Sequence, residues 1–408
     1  MTSMKKETSI VFTGDIGFDN YMDGRWNDDR LVSGSILDFI HSADHVVANV
    51  EGAMIEQERA VDTSGKGIAF HTMDPAAIRF LKLIRADIWN IANNHAMDAG
   101  PGGIANTMAM AKSMGSRTIG GGADLSEAMT PVILEEAGGI GILGCGYMPS
   151  CIAATETTAG TLAWTDLDHI KEVIDKIKET CRWTVIVVHG GEEFSSLPAP
   201  YTRELYHKYL ELGADIVVGH HPHVPMNYET VGGKIIFYSL GNFIFDTGYQ
   251  RAQLNTDTGI LMKLIFTEDA FRFEPLGFNI VRGPEILTEG DLPGIFADIG
   301  EEEYKKLIGM AARAFLCSER RRAVYLAGTR KADATEEEIR ELYASIPIKL
   351  EYVPGQHHDL AVYNELADEA DETAFDSSRL ETVKAYIRKQ LDEGCPFERE
   401  YRLGIKQQ

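Results

Sequence analysis

Nowhere in this chain is there an apolar run of about 18 residues, the length a membrane-spanning helix needs. The first residues, Met1–Thr8, are polar and lack the apolar stretch of a signal peptide, so neither membrane insertion nor export is expected. Cysteine is scarce: Cys145, Cys151, Cys181, Cys317 and Cys395 make five, an odd number without CxxC spacing. That favours reduced thiols and an intracellular, cytoplasmic setting over a disulfide framework, with Cys145 and Cys151 the one pair to consider. Positive charge is also short, 39 Lys+Arg against 62 Asp+Glu, for a net charge of −23. A nucleic-acid partner or an anionic membrane surface is therefore not expected. Internal repeats and low-complexity segments are absent. What remains is an acidic globular protein of 408 residues, long enough for a large domain plus a smaller unit.

Strands and helices alternate through the first half. Apolar runs predict strands over Ser9–Thr13, His45–Ala48, Asp87–Ala92, Thr184–Val188 and Asp215–Val218. Helices are expected over Ser35–His41, Pro75–Ile84, Gly102–Met114, Leu167–Thr180 and Tyr201–Leu212, with Asp74 capping the second and Gly115 ending the third. Pro131–Glu135 and Ile140–Gly144 read as a hairpin, and Lys234–Tyr238, Gly259–Phe266 and Phe271–Ile280 as antiparallel strands. Beyond Gly283 the chain turns helical and charged, over Glu301–Phe315, Thr335–Ala344 and Ser377–Asp392. Two units are expected, 8–283 and a helical, acidic extension over 284–408.

The apolar runs share one layout: each ends in polar or metal-capable residues. Asp15 follows the first run, and Asn49 and Glu51 the second. Asn93, Asn94 and His95 follow the third, His189 and Glu193 the fourth. His220, His221 and His223 follow Asp215–Gly219, and Ser239 and Asn242 follow Lys234–Tyr238. In open α/β folds the loops after the carboxyl ends of strands build the active site, so these groups are expected to converge. Asn49 and Glu51 are two apart on an extended backbone and face the same way. The same spacing, stiffened by Pro222, would aim His221 and His223 to one side if that segment were extended. Oxygen and imidazole donors of this kind suit one or two divalent ions of Mn, Fe, Zn or Mg. Two such ions about 3.5–4 Å apart suit hydrolysis of a phosphoester or an amide, and His95 beside Asn94 would be the general acid.

With these residues in order, the chain resembles the CapA family of poly-γ-glutamate (capsule) synthesis proteins, a divergent branch of the calcineurin-like metallophosphoesterases. The matching segments are Thr13-Gly14-Asp15, Ala48–Gly52, Ala92–His95, His189–Phe194, Gly219–Val224 and Tyr238–Phe243, spread over residues 8–247. The resemblance implies an α/β protein built as a four-layer α-β-β-α sandwich with the site at the strand ends. It implies Asp15, Glu51, Asn94, His189, His221 and His223 as metal ligands, with Glu51 where phosphoesterases place a bridging Asp. His95 would be catalytic. Asn49, Asn93, Glu193, His220, Ser239 and Asn242 would lie on the substrate side, facing a small molecule or a polyanionic polymer. The phosphoesterase Asp-x-His is missing, because Ile16 and Gly17 follow Asp15; Asp19 and Asp23 are the nearest carboxylates that could stand in. Two readings follow, a hydrolase of the CapA type or a non-catalytic, metal-stabilised binding protein for an anionic polymer or its synthetase.

Several features are given less weight. His357-His358-Asp359 reads as an exposed loop, Arg320-Arg321-Arg322 as a basic helix end, Gly120-Gly121-Gly122 as a flexible loop, and 62–67 as a mobile segment over the site. His41, His45 and His71 are given no role.

Overall fold

The computed structural model describes residues 7–18, 20–55, 71–146, 151–281, 287–328, 335–351, 353, 359–369 and 378–392. Asp19, the segment 62–67, His357, His358 and Cys395 fall outside these residues, as does the expected boundary at 283/284. The described chain is a mixed α/β fold with two large sheets. The first orders its strands Leu287–Glu289, Phe271–Ile280, Thr258–Phe266, Thr8–Ile16, His45–Val50, Ile88–Asn90 and Arg117–Ile119. Its right half, from Thr8–Ile16 outward, is parallel, and its left half is antiparallel. Asn242–Ile244 also pairs with Thr8–Ile16, in parallel. The second sheet runs Tyr228–Val231, Lys234–Phe237, Ile216–His220, Trp183–His189, Ile140–Gly146 and Val132–Leu134, parallel except at its two edges.

Side-chain alternation explains the packing. Ile10 and Phe12 from the first sheet meet Val185, Val187, Ile216 and Val218 from the second in one apolar cluster. The neighbours facing the other way, Val11, Val46 and Ala48, pack on Ile36, Ile40, Phe80 and Ile104 of three helices. Likewise Ile186, Val188 and Val217 pack on Ile170, Val173, Ile174 and Tyr206. Strands buried on both faces need unbroken apolar sequence, which is why Val185–Val188 has no polar alternation.

The carboxyl ends of the parallel strands are where the ladder becomes irregular. The register of Thr8–Ile16 shifts between Phe12 and Asp15, and Asp15 comes to lie opposite both Asn49 and Asn242. Gly14 makes this possible: a Cβ there would stand 2.1 Å from the Gly241 carbonyl oxygen.

The C-terminal helices differ from expectation in extent. The helix expected to end at Phe315 continues to Gly328, because no Gly, Pro or capping residue interrupts the sequence after Phe315. An unexpected helix spans Leu360–Asp368, capped by Asp359, whose side chain accepts from the Ala361 amide. These helices pack on the stretch just after Glu193. Leu197 clusters with Leu307, Ala311, Val383 and Ile387, and the Ser196 hydroxyl donates to Gln390 Oε1 at 2.7 Å. The Arg320–Arg322 run therefore lies inside a long helix, not at its end, and Arg321 is buried against Gln253 and the Gln390 carbonyl. Gly120–Gly122 is not a flexible loop either: Gly121–Gly122 pairs with Gly160–Thr161, and a Cβ at Gly120 would meet Ala92 at 2.5 Å.

Gly14→Ala should lower stability by about 2 kcal/mol in urea denaturation, through overpacking between two strands. An unchanged midpoint would show that the strands at Gly14 and Gly241 are not packed as tightly as described.

Candidate metal centre

The strand ends converge on a buried polar cluster. Asp15, Asn49, Glu51 and His189 are each fully buried, and His220, His221, His223, Asn94 and His95 nearly so. Two groups of three donors, Glu51 with His221 and His223, and Asp15 with Glu51 and His189, have their ligand atoms within 4.8 Å of one another. Glu51 belongs to both. Asn94 Oδ1 lies 2.8 Å and His221 Nδ1 3.2 Å from His189 Nε2, and Glu51 Oε1 lies 3.7 Å away. His223 Nε2 is also 3.7 Å from Glu51 Oε1. Donors on one ion with bonds of about 2.1 Å stand roughly 3–4 Å apart, so the spacing fits a shared cation.

The backbone aims the imidazoles in a way spacing alone could not give. His221 has φ 93° and His223 φ 58°, both in the left-handed region that non-glycine residues rarely occupy. The segment is thus not extended after His220, and the two rings converge because the chain turns, not by strand alternation. Such strain persists only where the surroundings fix it.

The ligand atoms are fixed from behind. Asn242 Nδ2 donates to Gln250 Oε1 and to the Thr256 carbonyl, each at 3.0 Å, which turns its Oδ1 toward His223 Nδ1 at 2.9 Å. The carbonyl partner leaves no choice of amide orientation, so His223 donates from Nδ1 and turns Nε2 toward Glu51. Asn49 orients His189 from the donor side: its Nδ2 donates to Asp15 Oδ1 at 2.8 Å and lies 3.1 Å from His189 Nδ1, which accepts there, so that Nε2 faces Asn94 Oδ1. Asn49 is held in turn by Asn90, whose Nδ2 donates to its Oδ1 at 2.8 Å.

Electrostatics fit a cation. Burial pushes the Asp15 carboxyl up, but the close His220, His223 and His189 imidazoles outweigh it and hold the group well below its usual range. Burial drives His189 well down, and His221 down to about 4. Burial also works against charge on His223, yet the Glu51 and Asp15 carboxylates push it up to about 10. Two buried carboxylates beside His189 and His221, both held toward the neutral form, are an environment that a divalent cation would neutralise. Asp15 Oδ2 and His220 Nδ1 are both buried without a hydrogen bond of good geometry, although His223 Nδ1 lies 3.2 Å from the first and Asp15 Oδ1 3.5 Å from the second.

His95 stands at the edge of this cluster. Its Nε2 is 3.8 Å from Glu51 Oε1 and 3.0 Å from Asn94 Nδ2, and its Nδ1 is 2.7 Å from Asp98 Oδ2. Asp98 is buried, and also accepts from the His71 amide at 2.9 Å, while the His71 ring packs edge-on to His95 at 4.1 Å. The sequence alone leaves Asp98 unmarked and gives His71 no role; the signal for Asp98 is its position three residues after His95.

Not every expected substrate-side residue faces outward. Asn93 clasps the backbone, donating to the Val50 carbonyl and accepting from the His95 amide. Ser239 accepts from the Gly241 amide, and Asn49 and Asn242 sit behind the imidazoles. These short polar side chains face strand-end amides and imidazoles, which take up their hydrogen bonds. Glu193 and His220 adjoin the cluster without belonging to either donor group. Asp23 is exposed and does not replace the missing Asp-x-His partner.

The sequence model of the family described as "Bacterial capsule synthesis protein PGA_cap" matches residues 9–247, more than half of the chain. The chain belongs to this family. It is 30% identical over 279 residues to the PGA biosynthesis protein CapA of Bacillus subtilis (strain 168), covering 67% of this chain and 71% of that protein. The capsule biosynthesis protein CapA of Bacillus anthracis is 28% identical over 222 residues, covering 53% of this chain and 54% of the relative. A hypothetical protein from Thermus thermophilus superposes with a TM-score of 0.44 at 14% identity, covering 67% of this chain and 99% of the other; that likeness is too distant to bear on the site. The PGA_cap segment holds all the donors just described, from Asp15 to Asn242. Among the described residues of this family member, no helix is long and apolar enough to cross a membrane.

Asn242→Ala should weaken divalent-metal affinity roughly 10–100-fold, as loss of an outer partner of a ligating His does. Competition with a chelating dye measures it; unchanged affinity would show that His223 needs no support from Asn242.

Proposed function

We propose that this PGA_cap protein is a metal-dependent hydrolase acting on a phosphoester or a γ-glutamyl-type amide in poly-γ-glutamate or capsule metabolism. The observation that carries this reading is the position of the His95–Asp98 pair, 3.8 Å at its inner end from the carboxylate that both donor groups share. Asp15, Glu51, Asn94, His189, His221 and His223 would hold one or two divalent ions, Mn, Fe, Zn or Mg. When bound, such an ion supplies Lewis-acid polarisation of a phosphoryl or carbonyl oxygen. His95 would deliver a proton from Nε2 to the leaving group, while Asp98 fixes the ring and favours its imidazolium form. Asn94 would bridge the two functions, its Oδ1 facing His189 and its Nδ2 facing His95.

The three apolar clusters support a four-layer α-β-β-α arrangement of 8–283, with 284–408 as a helical extension. Cytoplasmic location is part of the proposal, supported by Cys145, Cys181 and Cys317 being buried thiols outside any disulfide. A second reading, a metal-stabilised binding protein for an anionic polymer or its synthetase, draws support from Asp15 lacking the second metal-binding residue of Asp-x-His.

Two chromogenic probes separate these readings: a bis-nitrophenyl phosphodiester and γ-glutamyl-nitroanilide, assayed with Mn- and Zn-loaded protein. One of them should be turned over, and His95→Ala should lower kcat by roughly 10²–10⁴ while metal content is kept. Asp98→Asn should lower kcat in the same direction with KM little changed. No turnover of either probe, together with retention of poly-γ-glutamate over polyaspartate in a pull-down, would establish the binding reading instead.

A further inference from the structure

Glu193 and Arg322 form a charged pair beside the donor cluster that no ligand role absorbs. Arg322 comes from the helix Glu301–Gly328, beyond the family-matched segment. Its Nη1 donates to Glu193 Oε2 at 3.3 Å, and the Tyr249 hydroxyl donates to the same oxygen at 3.1 Å. Its guanidinium lies 5.5 Å from the Tyr249 ring centroid. Among the described residues, Glu193 Oε1 accepts no hydrogen bond, since both bonds converge on Oε2. Both side chains retain some exposure, 17% for Glu193 and 15% for Arg322.

The pair is close to the metal centre in charge and in packing. Burial raises the Glu193 carboxyl, but Arg322, the His221 and His223 imidazoles and the Tyr249 hydroxyl together outweigh it and hold the group down to about 2. Glu193 and Arg322 both act on the His221 imidazole, in opposite senses. The next residue, Phe194, stacks on the His223 ring with centroids 6.1 Å apart. Glu193 itself stands outside both donor groups. The result is a fixed carboxylate and a fixed guanidinium, side by side, flanking the site where a reacting group would lie.

We propose that Glu193 and Arg322 form a subsite for the amino end of a γ-linked glutamyl chain, an inference that rests on the hydrolase reading above. The amino-terminal residue of such a chain carries an α-ammonium and an α-carboxylate on one carbon. Glu193 Oε1 takes the ammonium, and Arg322, whose Nη1 also lies 3.8 Å from the buried Glu319 Oε1, lends its charge to the carboxylate. Internal residues keep the α-carboxylate but have an amide in place of the ammonium, so they leave Glu193 without a cationic partner. A largely buried carboxylate discriminates well between the two, because charge-assisted hydrogen bonds are roughly twice as strong as neutral ones. The chain is therefore shortened from its amino end.

The test uses the metal-loaded full chain and two γ-glutamyl oligomers of equal length, one with a free amino end and one N-acetylated. Hydrolysis gives kcat/KM for each, and calorimetry gives binding. The free end should be favoured roughly tenfold or more in both. Glu193→Gln and Arg322→Met should each bring the ratio to within about twofold of one, with thermal unfolding checked in parallel. Equal handling of both oligomers by the wild type overturns the subsite and leaves the hydrolase reading standing. Preferential binding of the free end without any turnover supports the subsite and overturns the hydrolase. If Glu193→Gln does not fold, the wild-type ratio alone decides.

Discussion

Two buried carboxylates, Asp15 and Glu51, set the terms for the rest of this molecule. Each is fully removed from solvent at the end of a parallel strand, an expensive position for a charge. The surroundings answer that cost with imidazoles from the second sheet, His189 and His220 from adjacent strand ends and His221 and His223 from the turn that follows. Bringing them together requires the strands to end at one edge, Gly14 to let Asn242 approach, and His221 and His223 to accept left-handed backbone. Asn49 and Asn242 then decide which imidazole nitrogen faces inward. A divalent cation would complete this arrangement, and the Asp15 and Glu51 carboxylates already raise His223 toward its charged form between them.

The sequence made the donors legible and their supports only partly so. Apolar runs ending in Asp, Asn, Glu and His are a one-dimensional record of parallel strands, because strands buried on both faces admit no polar residue until they leave the sheet. That is why the strand ends and the donors could be read together. The convergence of His221 and His223 could not be read correctly, since an i, i+2 spacing suggests an extended chain and the real cause is backbone with positive φ. Asn242 and Asn93 looked like substrate residues because polar side chains after strands suggest ligands. In the fold their hydrogen bonds go to His223 and to the backbone around Glu51. Asp98 escaped notice because its role depends on a turn that brings position i+3 back to His95.

The helices after residue 300 show the limit from the other side. Their charged, amphipathic sequence predicts helix, and helix is found, but no pattern in it says where the apolar faces dock. They dock on 195–199, the stretch leaving the metal-centre loop, so Arg320, Arg321 and Arg322 have three different fates. Arg320 lies over the Tyr343 ring at 4.2 Å, Arg321 is buried with Gln253, and Arg322 reaches Glu193. A basic run in sequence is here one stacking contact, one internal strut and one side chain beside the site.

The shared carboxylate is the most exposed claim. Elemental mass spectrometry of the purified chain, after loading with Mn, Fe or Zn and removal of excess metal, counts ions per chain in wild type and Glu51→Ala. If Glu51 joins both donor groups, the wild type should hold up to two ions and the variant should lose all of them, while keeping its circular dichroism spectrum. A variant that retains the wild-type metal count would contradict the account, because Glu51 would then be a buried carboxylate beside the site and not its centre.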